Sequence, residues 1–151
     1  MTIFRTVQVQ APAQRVWELA SDLPRMGELS PENAGGTWRR GASGPAVGAR
    51  FRGANRAGWR RWSTDVVVSR CEPASTFAFV VTFAGLQVAE WAYDVTQVDA
   101  SSCTVTETWT DRRGALMKGL GGLATGVSDR VTFTETSIEQ TLAAVKAAAE
   151  R

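Results

Sequence analysis

The sequence predicts an α+β fold: a curved antiparallel sheet of seven strands around a long C-terminal helix, with two short helices after the first strand. Three observations carry that expectation. Apolar and polar residues alternate through most of the chain before Asp111, in runs broken by Gly, Pro and Asp/Ser turns, as half-buried strands do. From about Gly126 the apolar spacing changes to three and four, the period of a helix. The turns between successive strands are too short for crossover helices, so the strands pair as a meander. A long helix with one apolar stripe then has to bury it on the concave face of that sheet.

In chain order, Thr2 to Gln10 is a strand, with Ile3, Arg5, Val7 and Val9 on one face and Thr6, Gln8 and Gln10 on the other. Pro12 suits a first helical turn, and Val16, Trp17, Leu19 and Ala20 give an amphipathic helix to about Ser21. Asp22 is placed to cap a second short helix, with Pro24 in its first turn and Leu23, Met26 and Leu29 on one side. Ser30-Pro31-Glu32-Asn33 stops it. Glycines between Gly35 and Gly58 punctuate short strands near Thr37–Arg40 and Ala49–Asn55, and Asn55 to Gly58 reads as a turn. Trp59 to Glu72 is a long strand carrying Trp62, Thr64, Val66 and Val68 on one face. After a turn at Pro73–Ser75, Phe77, Phe79, Val81 and Phe83 form the clearest period-two apolar face. Gly85 marks a hairpin into Val88–Val98, where Trp91, Tyr93 and Val95 share a side. Asp99–Ser102 turns into the last strand, Cys103–Thr110, with Val105, Glu107 and Trp109 together. Ala115–Thr125, glycine-rich and apolar, is a short helix or a mobile cover; the long helix then buries Val127, Val131, Thr134, Ile138, Leu142 and Val145.

The length of 151 residues suits one domain, 1–151, able to bury roughly two-thirds of its unfolded surface. A composition 44% apolar and 21% charged excludes a disordered, collagenous or coiled-coil chain. No apolar run approaches the ~20 residues of a membrane span, and MTIFRTVQVQAP lacks the apolar core of a signal peptide. The expected location is therefore the cytoplasm, without membrane insertion, where Cys71 and Cys103 stay as thiols. The chain has no histidine, which excludes Ser-His-Asp and Cys-His nucleophile systems, and two separated cysteines cannot close a tetrahedral zinc site. No metal and no cofactor is expected; chemistry falls to carboxylates, hydroxyls, Tyr93, arginines or bound water. Net charge is only +2, but Arg39, Arg40, Arg50, Arg52, Arg56, Arg60 and Arg61 fall within 23 residues. Alternation puts Arg50, Arg52 and Arg61 on the outer sheet face, either as its solvated side or as an anion or nucleic-acid surface.

The element order resembles the helix-grip fold of the START and Bet v 1-like superfamily (SRPBCC). Val16-Trp-Glu-Leu-Ala-Ser-Asp-Leu-Pro-Arg-Met26, Leu29-Ser-Pro-Glu32, Gly48-Ala-Arg-Phe-Arg-Gly53 and Val105-Thr-Glu-Thr-Trp109 resemble bacterial polyketide cyclase/dehydrase-like proteins along essentially the whole chain. Leu29 stands where many such relatives carry tryptophan; if that aromatic helps close a pocket mouth, the mouth here is wider. The resemblance implies a sheet that curls away from the helix and leaves an apolar cavity. Its members include aromatase/cyclases, dehydratases, lipid and hormone carriers, and one class of toxin–antitoxin partners.

Trp62, Phe77, Phe79, Phe83, Trp91, Tyr93 and Trp109 all point from the sheet toward the helix, as core packing or as cavity walls. The residues expected to bind a ligand are Asn55, Trp62, Thr64, Phe79, Trp91 and Trp109 from the sheet and Val127 and Val131 from the helix. Glu107 is the sharpest single residue, because strand parity places a carboxylate on an apolar face. With Tyr93 it is a candidate for moving protons or holding a ligand hydroxyl. It could equally form a structural salt bridge with Arg5, or reach water if the strand slides by one residue. Asn55, Thr64, Gln97 and Tyr93 could satisfy a ligand or strand-end backbone, and Ser30-Pro31 reads as a helix stop rather than a pocket rim. Three functions follow. The first is binding of a small hydrophobic molecule, polyketide-, lipid- or aromatic-like, by a monomer or homodimer. The second is a cofactor-independent cyclase, aromatase or dehydratase using the pocket carboxylate. The third is a toxin–antitoxin-like, nucleic-acid or protein partner module using the arginine-rich face, with nucleic acid the least expected partner.

Overall fold

In the computed structural model, which describes residues 1–127 and 129–151 and only the backbone within 121–125, alternation becomes one seven-stranded antiparallel sheet. Its strands are β1 (Thr2–Val9), β2 (Asn33–Arg39), β3 (Arg50–Ala57), β4 (Arg60–Glu72), β5 (Thr76–Phe83), β6 (Leu86–Asp99) and β7 (Ser102–Asp111). They lie in the order β1-β7-β6-β5-β4-β3-β2, so six consecutive strands form a meander and β1 closes onto its end. Between β1 and β2 stand the helix α1 (Ala13–Ser21) and a 3-10 turn at Leu23–Glu28; after β7 come α2 (Ala115–Thr125) and α3 (Arg130–Ala149).

Register follows from which faces are apolar, because a slip of one residue would turn every side chain over. Ile3, Val7 and Val9 stand opposite Trp109, Val105 and Cys103, and the hydroxyls of Thr6 and Thr106 meet at 2.7 Å on the outer face. Phe77 and Phe79 lie opposite Tyr93 and Trp91, and these lie opposite Glu107 and Trp109. The inner face is therefore continuous, and Val9, Val16, Phe77, Val105, Ile138 and Val145 are wholly buried on it or against it.

Several boundaries differ from the sequence reading for local reasons. Asn33 is already in β2, where a bulge between Asn33 and Gly36 interrupts the pairing. Asn55 to Ala57 continue β3 rather than turning; the reversal is made at Gly58, whose φ of +59° suits the tight hairpin. Asp22 gives the 3-10 turn no side-chain cap. The long helix starts at Arg130, not near Gly126, because the Asp129 carboxylate accepts from the Thr132 N–H at 3.1 Å and from its hydroxyl at 2.8 Å. Ala115–Thr125 is a helix in its own right.

The long helix does not cover the sheet evenly. It packs on β1 and β7 and against α1. At its end, Arg15 of α1 donates to the carbonyls of Ala149 and Ala148 at 2.8 and 2.9 Å. The Trp17 indole N–H donates to Thr76 at 2.9 Å, tying α1 to β5. Over the rest of the sheet, α1 packs on β5 and β6, the 3-10 turn on β2 and α2 on β4, a cover that leaves space over the inner face. Among the described residues, no helix is long and apolar enough to cross a membrane.

Gly36 tests the tight seam between β2 and β3. Its φ is +145°, and a Cβ there would lie 2.1 Å from the Arg52 carbonyl and 2.8 Å from the Phe51 ring. Gly36→Ala is expected to destabilise the chain by at least about 2 kcal/mol in urea melts, whereas Gly44→Ala, with open space at its Cβ, stays near wild type.

Candidate ligand cavity

Between the sheet and the partial cover lies a cavity of about 280 Å³, close to the lower end of ordinary ligand sites. Its walls are the alternate residues the strands turn inward. Phe51, Gly53 and Asn55 come from β3, Trp62, Thr64 and Val66 from β4, and Phe79, Val81 and Phe83 from β5. Trp91 and Tyr93 of β6 and Glu107 and Trp109 of β7 complete the floor. Leu23 and Met26 from the 3-10 turn and Met117 and Leu120 from α2 lie opposite.

All six sheet residues expected to face a ligand line this cavity, as do Tyr93 and Glu107. The two helix residues do not. Val127 precedes α3 and sits in a separate shallow depression with Ala57 to Arg60 and Phe133. Val131 packs against the core instead of forming the wall. The later start of α3 changes which face meets the cavity: Arg130 and Ser137, two turns apart, line it. Leu29 packs against the core. The Ser30–Asn33 segment, expected only to stop a helix, also lines the cavity through Ser30, Glu32 and Asn33.

Glu107 is the chemical centre of the site. It is 2% exposed. The Tyr93 hydroxyl, opposite it on β6, donates to Oε1 at 2.8 Å. Its Oε2 is buried and has no hydrogen-bond partner among the described residues. Burial disfavours the charged form and pushes this carboxyl up to about 8, with the bond from Tyr93 pulling the other way. Tyr93 is itself pushed well above its ordinary value, first by burial and then by its acidic neighbour. At neutral pH the pair is therefore a neutral acid beside a neutral phenol. With Oε1 accepting from Tyr93, the proton falls to Oε2, a donor with no acceptor among the described residues.

The salt bridge from Arg5 to Glu107 does not form, although the two residues stand opposite each other in register. Arg5 reaches Glu135 at 3.3 Å and Glu139 at 3.4 Å on the flank of α3. Its guanidinium keeps its water there, whereas pairing with Glu107 would bury two charges. Asn55 and Thr64 satisfy one another, Nδ2 donating to Oγ1 at 3.0 Å. Gln97 serves the backbone: its carbonyl accepts from the Ala13 N–H at 2.7 Å at the start of α1.

Two ion pairs at the rim have both partners below one-fifth exposed, Arg113 with Asp111 and Arg130 with Glu32, the latter at 2.6 Å. Sequence reasoning missed Arg113, Arg130 and Glu32, which come from three distant segments and share no local pattern. Three arginines of the cluster have partners within the fold. Arg52 pairs with Asp65, Arg56 donates to the carbonyls of Gly27 and Pro31, and Arg61 donates to those of Gly58 and Arg60.

Comparison with known proteins agrees with this architecture. The solution structure of the polyketide cyclase-like protein Cgl2372 from Corynebacterium glutamicum is 25% identical, with a TM-score of 0.63 over 97% of this chain and 90% of that one. A START superfamily protein from Mycobacterium smegmatis gives a TM-score of 0.68 at 16% identity, over 99% of this chain and 97% of that one. The di-domain aromatase/cyclase StfQ of the steffimycin biosynthetic pathway gives 0.74 at 14% identity; it covers 99% of this chain, which spans 50% of StfQ. No curated protein matches the chain. The model of the family "polyketide cyclase / dehydrase and lipid transport" matches residues 2–150. With the helix-grip sheet, the cavity and this match in hand, the chain belongs to the polyketide cyclase/dehydrase and lipid transport family.

Proposed function

We propose that this chain binds a small hydrophobic molecule bearing a carbonyl or hydroxyl group, with the apolar body between Trp62, Phe79, Trp91 and Trp109 and the oxygen on Glu107. One observation carries this reading: an acid 2% exposed, in an apolar cavity, whose second oxygen has no protein partner among the described residues. A buried polar atom left without a partner costs free energy. A ligand oxygen accepting from the Glu107 carboxyl removes that cost, and apolar contact adds about 25 cal/mol per Å² buried. Tyr93 fixes the carboxyl's orientation and Asn55 with Thr64 offers a second polar edge.

The same pair supports a second reading, cofactor-independent dehydration or ring closure. In water loss, the Glu107 carboxyl would protonate a departing hydroxyl, and the resulting carboxylate would take the proton from the adjacent carbon, so that substrate becomes alkene plus water and Glu107 is restored. A carboxyl titrating near neutrality suits both halves of that transfer. Glu107→Gln then abolishes turnover and spares binding.

The binding reading is tested with N-phenylnaphthylamine, a neutral probe that brightens in apolar sites. Trp91→Ala is expected to weaken its binding about tenfold, read by fluorescence titration, with the far-ultraviolet spectrum unchanged. Unchanged affinity would remove Trp91 from the site. In displacement of the same probe, α-tetralone should compete better than tetralin near neutral pH. That advantage disappears above about pH 8, where Glu107 loses its proton; equal competition at every pH would remove Glu107 from ligand recognition.

Stability carries a separate prediction. The folded chain holds the Glu107 proton up to about 8, whereas the unfolded carboxyl releases it near 4.5. The folded state thus binds the extra proton between those values, and stability falls as pH rises through that window, in the limit by on the order of 5 kcal/mol. Glu107→Gln cannot titrate and should lack this slope in urea melts run across the same range. Parallel profiles for wild type and variant would place the carboxyl in water.

A further inference from the structure

Arg113 is a cavity residue with no part in the reading above. It stands where β7 gives way to α2 and lines the wall beside Met117 and Leu120. Its side chain is 12% exposed. One edge of the guanidinium is engaged, Nε and Nη2 donating to the two oxygens of Asp111 at 2.9 and 3.0 Å. The Arg113 backbone N–H donates to the same carboxylate at 3.0 Å. The Trp109 ring centre lies 5.9 Å from its Cζ. The group is thus held in one orientation. A guanidinium has five N–H donors and two parallel bonds use one edge, so the Nη1 edge remains, with no acceptor among the described residues.

The charges around it do not cancel. Lys118 lies 3.8 Å from the second oxygen of Asp111, so this one carboxylate faces two cations. The other cavity arginine, Arg130, pairs with Glu32 at 2.6 Å. Around Asp111, positive charge therefore exceeds negative by one among the side chains of Asp111, Arg113 and Lys118. Glu107 sits four residues back along β7 from Asp111, about 13 Å of strand, so its open oxygen and the open edge of Arg113 lie at different depths.

We propose that Arg113 is an anion-binding position at the mouth of the cavity, and that the ligand is an amphiphilic acid whose carboxylate rests on the open guanidinium edge while its apolar body runs inward over Trp109 and Trp91. The proposal rests on the cavity being the ligand site. Asp111 is the positioning residue: it holds the fork still, so little freedom is lost when the anion arrives.

The test displaces bound N-phenylnaphthylamine with decanoate and with decanol, which share a chain length and differ in the end group. Desolvation of a carboxylate opposes entry into an uncharged cavity, so without a cation decanol wins. With Arg113 as proposed, decanoate displaces the probe at about tenfold lower concentration than decanol. Arg113→Gln alone would strand the Asp111 carboxylate, so the variant to use is Asp111→Asn with Arg113→Gln, which keeps a neutral hydrogen-bonding pair. There the decanoate advantage should vanish while decanol displaces as before. Equal displacement by the two compounds in wild type overturns the anion position and leaves the cavity reading standing. A decanoate advantage retained in the double variant overturns the role of Arg113. Failure of the probe itself to bind overturns the cavity reading, and this proposal with it.

Discussion

Arg15 donates both its Nε and an Nη to the last carbonyls of α3, at Ala149 and Ala148. A helix leaves those carbonyls without partners of its own, and a cation at that end also answers its dipole. Because Arg15 belongs to α1, and α1 is tied to β5 through Trp17 and receives the Gln97 carbonyl at Ala13, the C-terminal end of the long helix has one place to lie. That place is over β1 and β7. A twisted sheet cannot follow a straight helix along its whole width. The space between the N-terminal half of α3 and strands β3 to β6 is the wedge that the ligand cavity occupies. The site is thus a product of where the helix is pinned.

The wedge sorts its polar groups by depth. At the floor, solvent is excluded, and the one acid there keeps its proton and leans on a phenol rather than on a cation. At the rim, water is close enough for charges to survive, and the ion pairs Arg113–Asp111 and Arg130–Glu32 appear. The same chemistry explains why Arg5, level with Glu107 in the sheet, turns to the half-exposed Glu135 and Glu139. Electrostatic cost chooses among the partners that proximity and register offer.

This separates what could be read from the sequence from what could not. Strand alternation puts Val105, Glu107 and Trp109 on one face and the aromatic residues of β4 to β6 opposite the helix; Trp62, Phe79, Phe83, Trp91, Tyr93, Glu107 and Trp109 line the cavity, while Phe77 and Val105 are packed in the core. Period-two patterning is a local property, so it is legible. The partner of Glu107 was not, because Arg5 and Tyr93 are both adjacent to it in register and only the dielectric surroundings choose between them. Spacing alone puts Val127 in the helix; the cap at Asp129 starts α3 later and turns Arg130 and Ser137 toward the cavity instead. Glu32, Arg113 and Arg130 line one cavity from three distant segments, and no window of sequence contains that fact.

The closing pair of the sheet has a consequence for how the chain is made. Among the described residues, strand β1 pairs with β7 alone, with Thr6 and Thr106, 100 residues apart, joined across it. During synthesis the first strand emerges with nothing to pair with, while β2 to β7 can zip together hairpin by hairpin behind it. Loop closure over that distance is an entropic barrier, and folds that depend on it are slow. The helix that packs on β1 comes after all seven strands in the chain. Until then the Thr2–Val9 edge is an open strand, and Phe4, 61% exposed even in the finished fold, is on its outer face. An unprotected edge of this kind is where nascent chains adhere to one another. The order of the sheet therefore makes this N-terminal strand the segment most dependent on a chaperone, or on speed.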